Sequence, residues 1–339
     1  MRIIRRVAIA GWLGAVAFRT WTTGLAFNRE LLLVYICTGL IVACIGRQRM
    51  LQVVIDWLPF AVVLAVYDLS RGAATMLGSP TLWHPQVDVD RWMFFGTVPT
   101  VWLQEHLKGS KPPWWEVVMS TTYMSFFILP YVVAGALWLN NRDDWKAFVR
   151  RFVALSFAAL IVYAVLPAAP PWAAARCTAT DVAGGPSDPP CMFHSAAGVS
   201  DGGLLGAMAT TQPGAHHFVE RISTRGWGTL HLNSARSLID EGQASVNLVA
   251  AIPSLHAALT AMVAIFLWSR LRPRWRPLLV AYPLIMAFTL VYAGEHYVFD
   301  ILMGWALALV VLLVFARFEV RRRRRLARNG KPVRAGEAC

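Results

Sequence analysis

Residues 294–318, GEHYVFDILMGWALALVVLLVFARF, carry His296 and Asp300 at their head and then run without a charged side chain as far as Arg317. Crossing a hydrocarbon core as a helix takes roughly 20 mostly apolar residues, so 296–318 reads as a membrane span with its polar residues at one end. Upstream, AAIPSLHAALTAMVAIFLW at 250–268 has the same design, with Ser254 and His256 ahead of an apolar run. A single apolar stretch, 277–294, separates the two. One intervening helix returns the chain to the face it left, so both polar heads fall at the same membrane face.

Further spans are predicted at 30–46, 53–68, 116–139, 152–167 and 248–268, with 7–27 as an additional span or an interfacial helix. The opening MRIIRRVAIAGWLGAVAF has the basic start and apolar continuation of a signal peptide, but no small-residue cleavage site ends it, and it is read as retained. The fold class that follows is all-α, a polytopic membrane helical bundle. Its organisation is 1–52 as N-terminal membrane segments, 53–318 as the main membrane domain and 319–339 as a basic tail.

Composition agrees: of 339 residues 57% are hydrophobic and only 15% charged, far from the balance of a soluble domain. The formal charge of +13 does not indicate nucleic acid, because the arginines gather between apolar stretches and in the run Arg321 to Arg325. Membrane topology and anionic lipid headgroups explain them better. Arginine and lysine collect on the cytoplasmic side. Arg47 and Arg49, then Arg142, Lys146, Arg150 and Arg151, then Arg270, Arg272, Arg274 and Arg276, and finally the C-terminal run therefore fall inside. Segments 69–115 and 168–247 fall outside, with the plasma membrane as the expected location. Trp83, Trp92, Trp102, Trp114 and Trp115 make the first outer segment an aromatic-anchored interfacial one. The second, with Gly184, Gly185, Pro186, Pro189 and Pro190, reads as largely irregular, a lid or substrate loop. Cys177 and Cys191 are the two cysteines of that loop, and a disulfide between them is open if it faces an oxidising compartment.

His296 and Asp300 stand one helical turn apart on one face, so the carboxylate can accept a bond from one imidazole nitrogen. That fixes the tautomer and leaves the other nitrogen to attack, with the imidazole itself as nucleophile. A protonated His256 is placed to give its proton to a leaving oxygen, and the start of its helix offers N–H groups to an anion. Ionisable groups in spans are costly and tend to be functional, which outweighs a purely structural reading of the three together.

PSLH at 253–256 followed by HYVFD at 296–300 resembles the second and third signatures of the type 2 phosphatidic acid phosphatase (PAP2) superfamily. Leu255, LPAAPPW at 166–172 and DRWMFFGTVPT at 90–100 look similar to the branch that contains the fungal inositol phosphorylceramide synthases. The resemblance covers roughly residues 60 to 320. It implies a six-helix core plus one or two extra N-terminal helices. It also implies a phosphohistidine formed on His296, oriented by Asp300, with His256 as acid and then base. Two departures stand out: none of Lys108, Lys111, Lys146 or Lys331 has an arginine seven positions on, as the first signature requires, and no arginine precedes the third-signature histidine near Leu290.

A phosphate still needs a cation. The outer-side candidates are Arg71, Arg91, Lys108, Lys111, Arg176, Arg221, Arg225 and Arg236, with Arg71, at a span end in YDLSRG, taken first and Ser254 as its companion in substrate binding. No metal site and no cofactor are read from the sequence: His216 and His217 are adjacent, and no spaced cysteine set or P-loop lysine occurs. The expected function is a lipid phosphotransferase moving a phosphorylated headgroup, inositol phosphate being one such group. The donor would be a phospholipid or polyprenyl-phosphate-type lipid and the acceptor a lipid, polyol or water. A lipid phosphate phosphatase is the alternative, and a non-catalytic transporter or scaffold is the alternative of another class.

Overall fold

A computed structural model describes residues 2–23, 29–46, 50–74, 78–193, 202–210, 215–230 and 248–328. Arg236 and the tail beyond 328 lie outside these residues, as does the side chain of Arg71. The helices are α1 (Arg2–Thr23), α2 (Arg29–Ala43), α3 (Met50–Ala74), α4 (Pro85–Met93), α5 (Pro99–Leu107), α6 (Trp115–Asn140), α7 (Arg142–Val165), α8 (Pro171–Ala174), α9 (Leu255–Trp268), α10 (Arg276–Tyr292) and α11 (Val298–Arg328). Among the described residues, five stretches are long and apolar enough to cross a membrane: Leu51–Ser70, Trp115–Asn140, Arg142–Val165, Pro273–Tyr292 and Val298–Arg322. Leu31–Ala43 and Leu255–Trp268 are shorter apolar helices. The chain is an all-α membrane bundle, as its periodicity and apolar runs imply.

The chain forms two compact units. The first comprises 1–69, 125–154 and 310–339. Here Gly39 lets α2 come close to α1, since a Cβ at that position would lie 2.8 Å from the Trp12 ring, and Trp12 Nε1 donates to Thr38 Oγ1 at 3.0 Å. Trp57, Phe60, Tyr131, Trp145 and Phe152 form an aromatic core. The Asp56 carboxylate accepts from Arg142 at 2.7 and 2.9 Å and from Trp138 at 2.8 Å. Helix α7 begins ten residues before the span predicted at 152–167, so Arg142, Lys146, Arg150 and Arg151 are helical and the connection to α6 shrinks to Asn141. The cause is local: Asn141 Oδ1 accepts the Asp143 N–H at 3.0 Å, and Asp143 and Asp144 suit a helix N-terminus.

The second unit comprises 70–124 and 155–309. Segment 69–115, expected to be interfacial, contains two short helices, α4 and α5, separated by a turn in which Phe95 and Gly96 have positive φ. Trp92, Trp102 and Trp114 are exposed as a membrane-surface anchor requires, whereas Trp83 is buried. Trp83 donates from Nε1 to the Pro186 carbonyl at 3.0 Å and packs with Trp172, Val182 and Met192 around a Cys177–Cys191 disulfide. Residues 169–192 therefore pack into a core together with Trp83. Isolated parallel bridges join Leu82 to Ala168 and Ala168 to Ala250, bringing three distant chain segments side by side just ahead of α9.

Candidate active site

Pro253 has no N–H to offer a helix, and the span expected from 248 becomes helical only at Leu255. Ser254 is the N-cap: its backbone is extended and its Oγ accepts the Ala257 N–H at 3.3 Å, an arrangement worth about 1 kcal/mol. The Ser254 side chain is fully buried in that role. Its own N–H donates to the Asp300 carbonyl at 3.0 Å, tying the start of α9 to the first turn of α11. The two helices touch at Gly304, where a Cβ would run into the Ser254 carbonyl. Small residues permit such approaches between membrane helices; the Ala258 nitrogen would lie 3.4 Å from the same Cβ, and Ala257 and Ala258 are both fully buried.

The turn between α10 and α11 explains the local sequence GEHY. Gly294 adopts φ +73°, Gly294 N–H donates to the Val291 carbonyl at 3.2 Å, and Glu295 N–H donates to the Leu290 carbonyl at 3.0 Å. This is the glycine-terminated helix end that satisfies otherwise orphaned carbonyls. The next helix starts at Val298, four residues after that glycine, capped from outside: Asp90 of α4 accepts the Val298 and Phe299 N–H groups at 3.1 and 3.0 Å. Asp90 is fully buried. Burial pushes its carboxyl up to about 6 against those two bonds, and the charge of Asp300 adds to the rise.

These two helix starts set the chemistry. His296 Nδ1 lies 3.4 Å from Asp300 Oδ2, one turn apart, and Asp300 Oδ2 also accepts the Tyr297 N–H at 3.0 Å. With Nδ1 on the side of the carboxylate, Nε2 is the nitrogen left for a substrate. The His256 ring stands 5.9 Å from the His296 ring, inclined by 58°. Its other side stacks on Tyr123 at 4.9 Å. His256, His296, Asp300 and Ser254 thus come together, as their sequence positions imply. His296 is 7% exposed and Asp300 is completely enclosed.

Glu295, which the sequence does not flag, completes the surroundings. Its carboxylate takes a bidentate pair from Arg221, Nε at 2.9 Å and Nη2 at 3.1 Å, and a bond from Ser223 Oγ at 2.6 Å. Burial alone would raise its carboxyl, but Arg221, Ser223 and the nearby His296 outweigh it and hold the group below the ordinary carboxylate range. The segment bearing Arg221 is clamped over the turn, with Ile222 N–H on the Ala293 carbonyl at 3.1 Å. Gln104 donates to the Glu220 and Tyr292 carbonyls at 2.8 Å each. Trp172 N–H donates to the Gly294 carbonyl at 3.0 Å from the other side. A glutamate beside a motif histidine is visible in the sequence, but its partner 74 positions away is not.

Among the described residues, no group of three or more His, Cys, Asp or Glu side chains is arranged to hold a metal ion. Residues 87–314 match the family model of the PAP2 superfamily. No match to the chain is found among curated proteins or among solved structures.

Proposed function

The chain belongs to the PAP2 superfamily, and from that premise we propose that it is an integral membrane lipid phosphotransferase working through a phosphohistidine. Family membership and membrane-type helices support lipid phosphatase or phosphotransferase chemistry in general. The finer reading rests on one observation, the His296–Asp300 pair at 3.4 Å with the His256 ring 5.9 Å across from it. In the first displacement His296 Nε2 attacks phosphorus, the bond from phosphorus to the lipid oxygen breaks, and His256 gives that oxygen its proton. In the second, His256 takes the proton of an acceptor hydroxyl, whose oxygen attacks phosphorus as the phosphorus–nitrogen bond breaks. Asp300 holds the Nδ1 proton throughout and favours the imidazolium character that develops during attack.

A lipid phosphatase would use the same groups with water as acceptor. Transfer is favoured by the folded outer segment, whose Trp172 and Ile222 backbones bond the turn beside His296, because excluding water protects a reactive intermediate. Donors of the phospholipid or polyprenyl-phosphate type, a polyol or lipid acceptor, and inositol phosphate as the headgroup of the similar branch complete the reading. Two in-line displacements leave the configuration at phosphorus unchanged. A chiral-phosphorus substrate should accordingly be processed with retention, and in the presence of strong chelators. Net inversion would mean direct transfer to the acceptor, with His296 as a general base.

The site is proposed to face the extracytoplasmic side, with the C-terminus in the cytoplasm. The Cys177–Cys191 disulfide supports this, since such bonds persist in oxidising compartments, as do the arginines between α9 and α10. A membrane-impermeant thiol reagent added to intact cells should label Ser187→Cys and spare Arg274→Cys. The opposite pattern would invert the topology.

A further inference from the structure

The phosphate of the donor needs a cation, and the two places where the superfamily signatures would put one are filled otherwise in this chain: no lysine has the required arginine, and Leu290 is fully buried in apolar contact. The described cations of the outer segments differ sharply in their surroundings. Lys108 is buried on Glu220 at 2.7 Å. Arg225 pairs with Glu116 and donates to the Gly109 carbonyl at 3.0 Å. Arg91 donates to the Leu204 carbonyl at 3.0 Å and Arg176 to the Met192 carbonyl at 3.2 Å.

Arg221 contacts the neighbours of both histidines. Its guanidinium is paired with Glu295, the residue before His296. The Tyr123 hydroxyl lies within hydrogen-bonding reach of Arg221 and Glu295, while the Tyr123 ring stacks on His256. Trp172 supports the guanidinium from a further side, 5.2 Å from ring centroid to Cζ. The pair with Glu295 uses Nε and Nη2, so Nη1 is not part of it. Arg221 is also the open member of the pair, 28% exposed at its side chain against 7% for Glu295. A planar fork held by a carboxylate on one edge suits recognition of a tetrahedral oxyanion.

Resting on the phosphoryl-transfer reading above, we propose that Arg221 is the cation that binds the phosphoryl group, and that Glu295 aims its guanidinium and limits the positive charge the phosphate meets. The ligand chemistry is a phosphoryl oxyanion, carried on a lipid headgroup or free. Glu295 then has two opposed effects, and their balance has a sign. Glutamine at 295 keeps the shape of the partner and removes a negative charge beside the bound oxyanion, so anion binding should strengthen.

The test is calorimetric titration of the full-length, detergent-solubilised protein with orthovanadate in one arm and dioctanoyl phosphatidic acid in the other. Arg221→Gln should weaken binding by about tenfold or more. Glu295→Gln should tighten it severalfold, and the double variant should lose that gain. The double variant leaves no buried charge without its partner, so the comparison stands even if Arg221→Gln alone fails to fold. A merely structural Arg221 would shift the melting temperature without any gain from Glu295→Gln. Weakening in both arms assigns the phosphoryl group whatever carries it; weakening in the vanadate arm alone assigns free phosphate, and in the lipid arm alone the lipid headgroup. Unchanged binding in every Arg221 variant, or no gain in Glu295→Gln, overturns the proposal. Inactive His296→Ala with unaltered binding in Arg221→Gln would sink the Arg221 assignment and leave the phosphohistidine. Active His296→Ala with weakened binding in Arg221→Gln would do the reverse.

Discussion

His296→Ala is expected to lower turnover by roughly 10⁴-fold or more while the protein still inserts and melts close to the parent temperature, since it removes the nitrogen proposed to bond phosphorus. His256→Ala should cost about 10²–10⁴-fold, the usual contribution of a positioned proton donor. Asp300→Asn belongs in the same range or below it, because asparagine keeps the shape and can still accept the Tyr297 N–H but no longer balances the imidazolium. Headgroup transfer measured in proteoliposomes, beside a melting curve for each variant, separates lost chemistry from lost folding. Any of the histidine variants retaining more than about a tenth of the parent rate would remove that residue from the mechanism assigned to it.

These three residues were legible in the sequence for particular reasons. His296 and Asp300 are one turn apart on a single helix, so their meeting requires only helical periodicity. His256 joins them because counting spans places it at the same face. Asp90 was visible only as part of a segment resembling a family branch; its function as the cap of α11 depends on a contact over 208 positions. Arg221 was one of eight outer cations, behind Arg71, because nothing local distinguishes a cation that will meet Glu295 from one at a span end. Trp83 has the composition of an interfacial anchor and becomes a core residue only because the loop around the disulfide folds back onto it. The start of α7 was misplaced because positive charge marks the side of a membrane and not the end of a helix, and Asn141 with two aspartates starts the helix among those charges.

Gly304→Leu should be nearly as damaging as loss of a histidine, although it touches no substrate. The Gly304 Cα lies against the Ser254 carbonyl, so any side chain there pushes α11 away from α9. Ser254 is two residues from His256, and its N–H is bonded to the Asp300 carbonyl at 3.0 Å, so separation breaks a backbone link between the two halves of the site. Displacing reacting groups by about 1 Å can cost on the order of 10²-fold in rate, and overpacking of this kind destabilises by about 1–3 kcal/mol. Gly304→Ala should show a smaller loss of the same kind. Leu302→Ala and Met303→Ala, on the neighbouring exposed face of α11, should stay near parent activity. Parent-like rates in Gly304→Leu would show that the two histidines do not depend on this helix contact.

The carboxylate of Asp90 also ties an early stretch of the chain to a late one. It is made early, yet the two N–H groups it holds belong to Val298 and Phe299, more than 200 residues later. Until Val298 and Phe299 have been translated, the Asp90 carboxylate is without the two donors that it holds in the folded chain, and an unanswered buried carboxylate is expensive. A chain that stops before residue 298 lacks both donors, and Asp300 with them. The acid that stands beside His296 and the two N–H groups that answer Asp90 therefore arrive together, within residues 298–300.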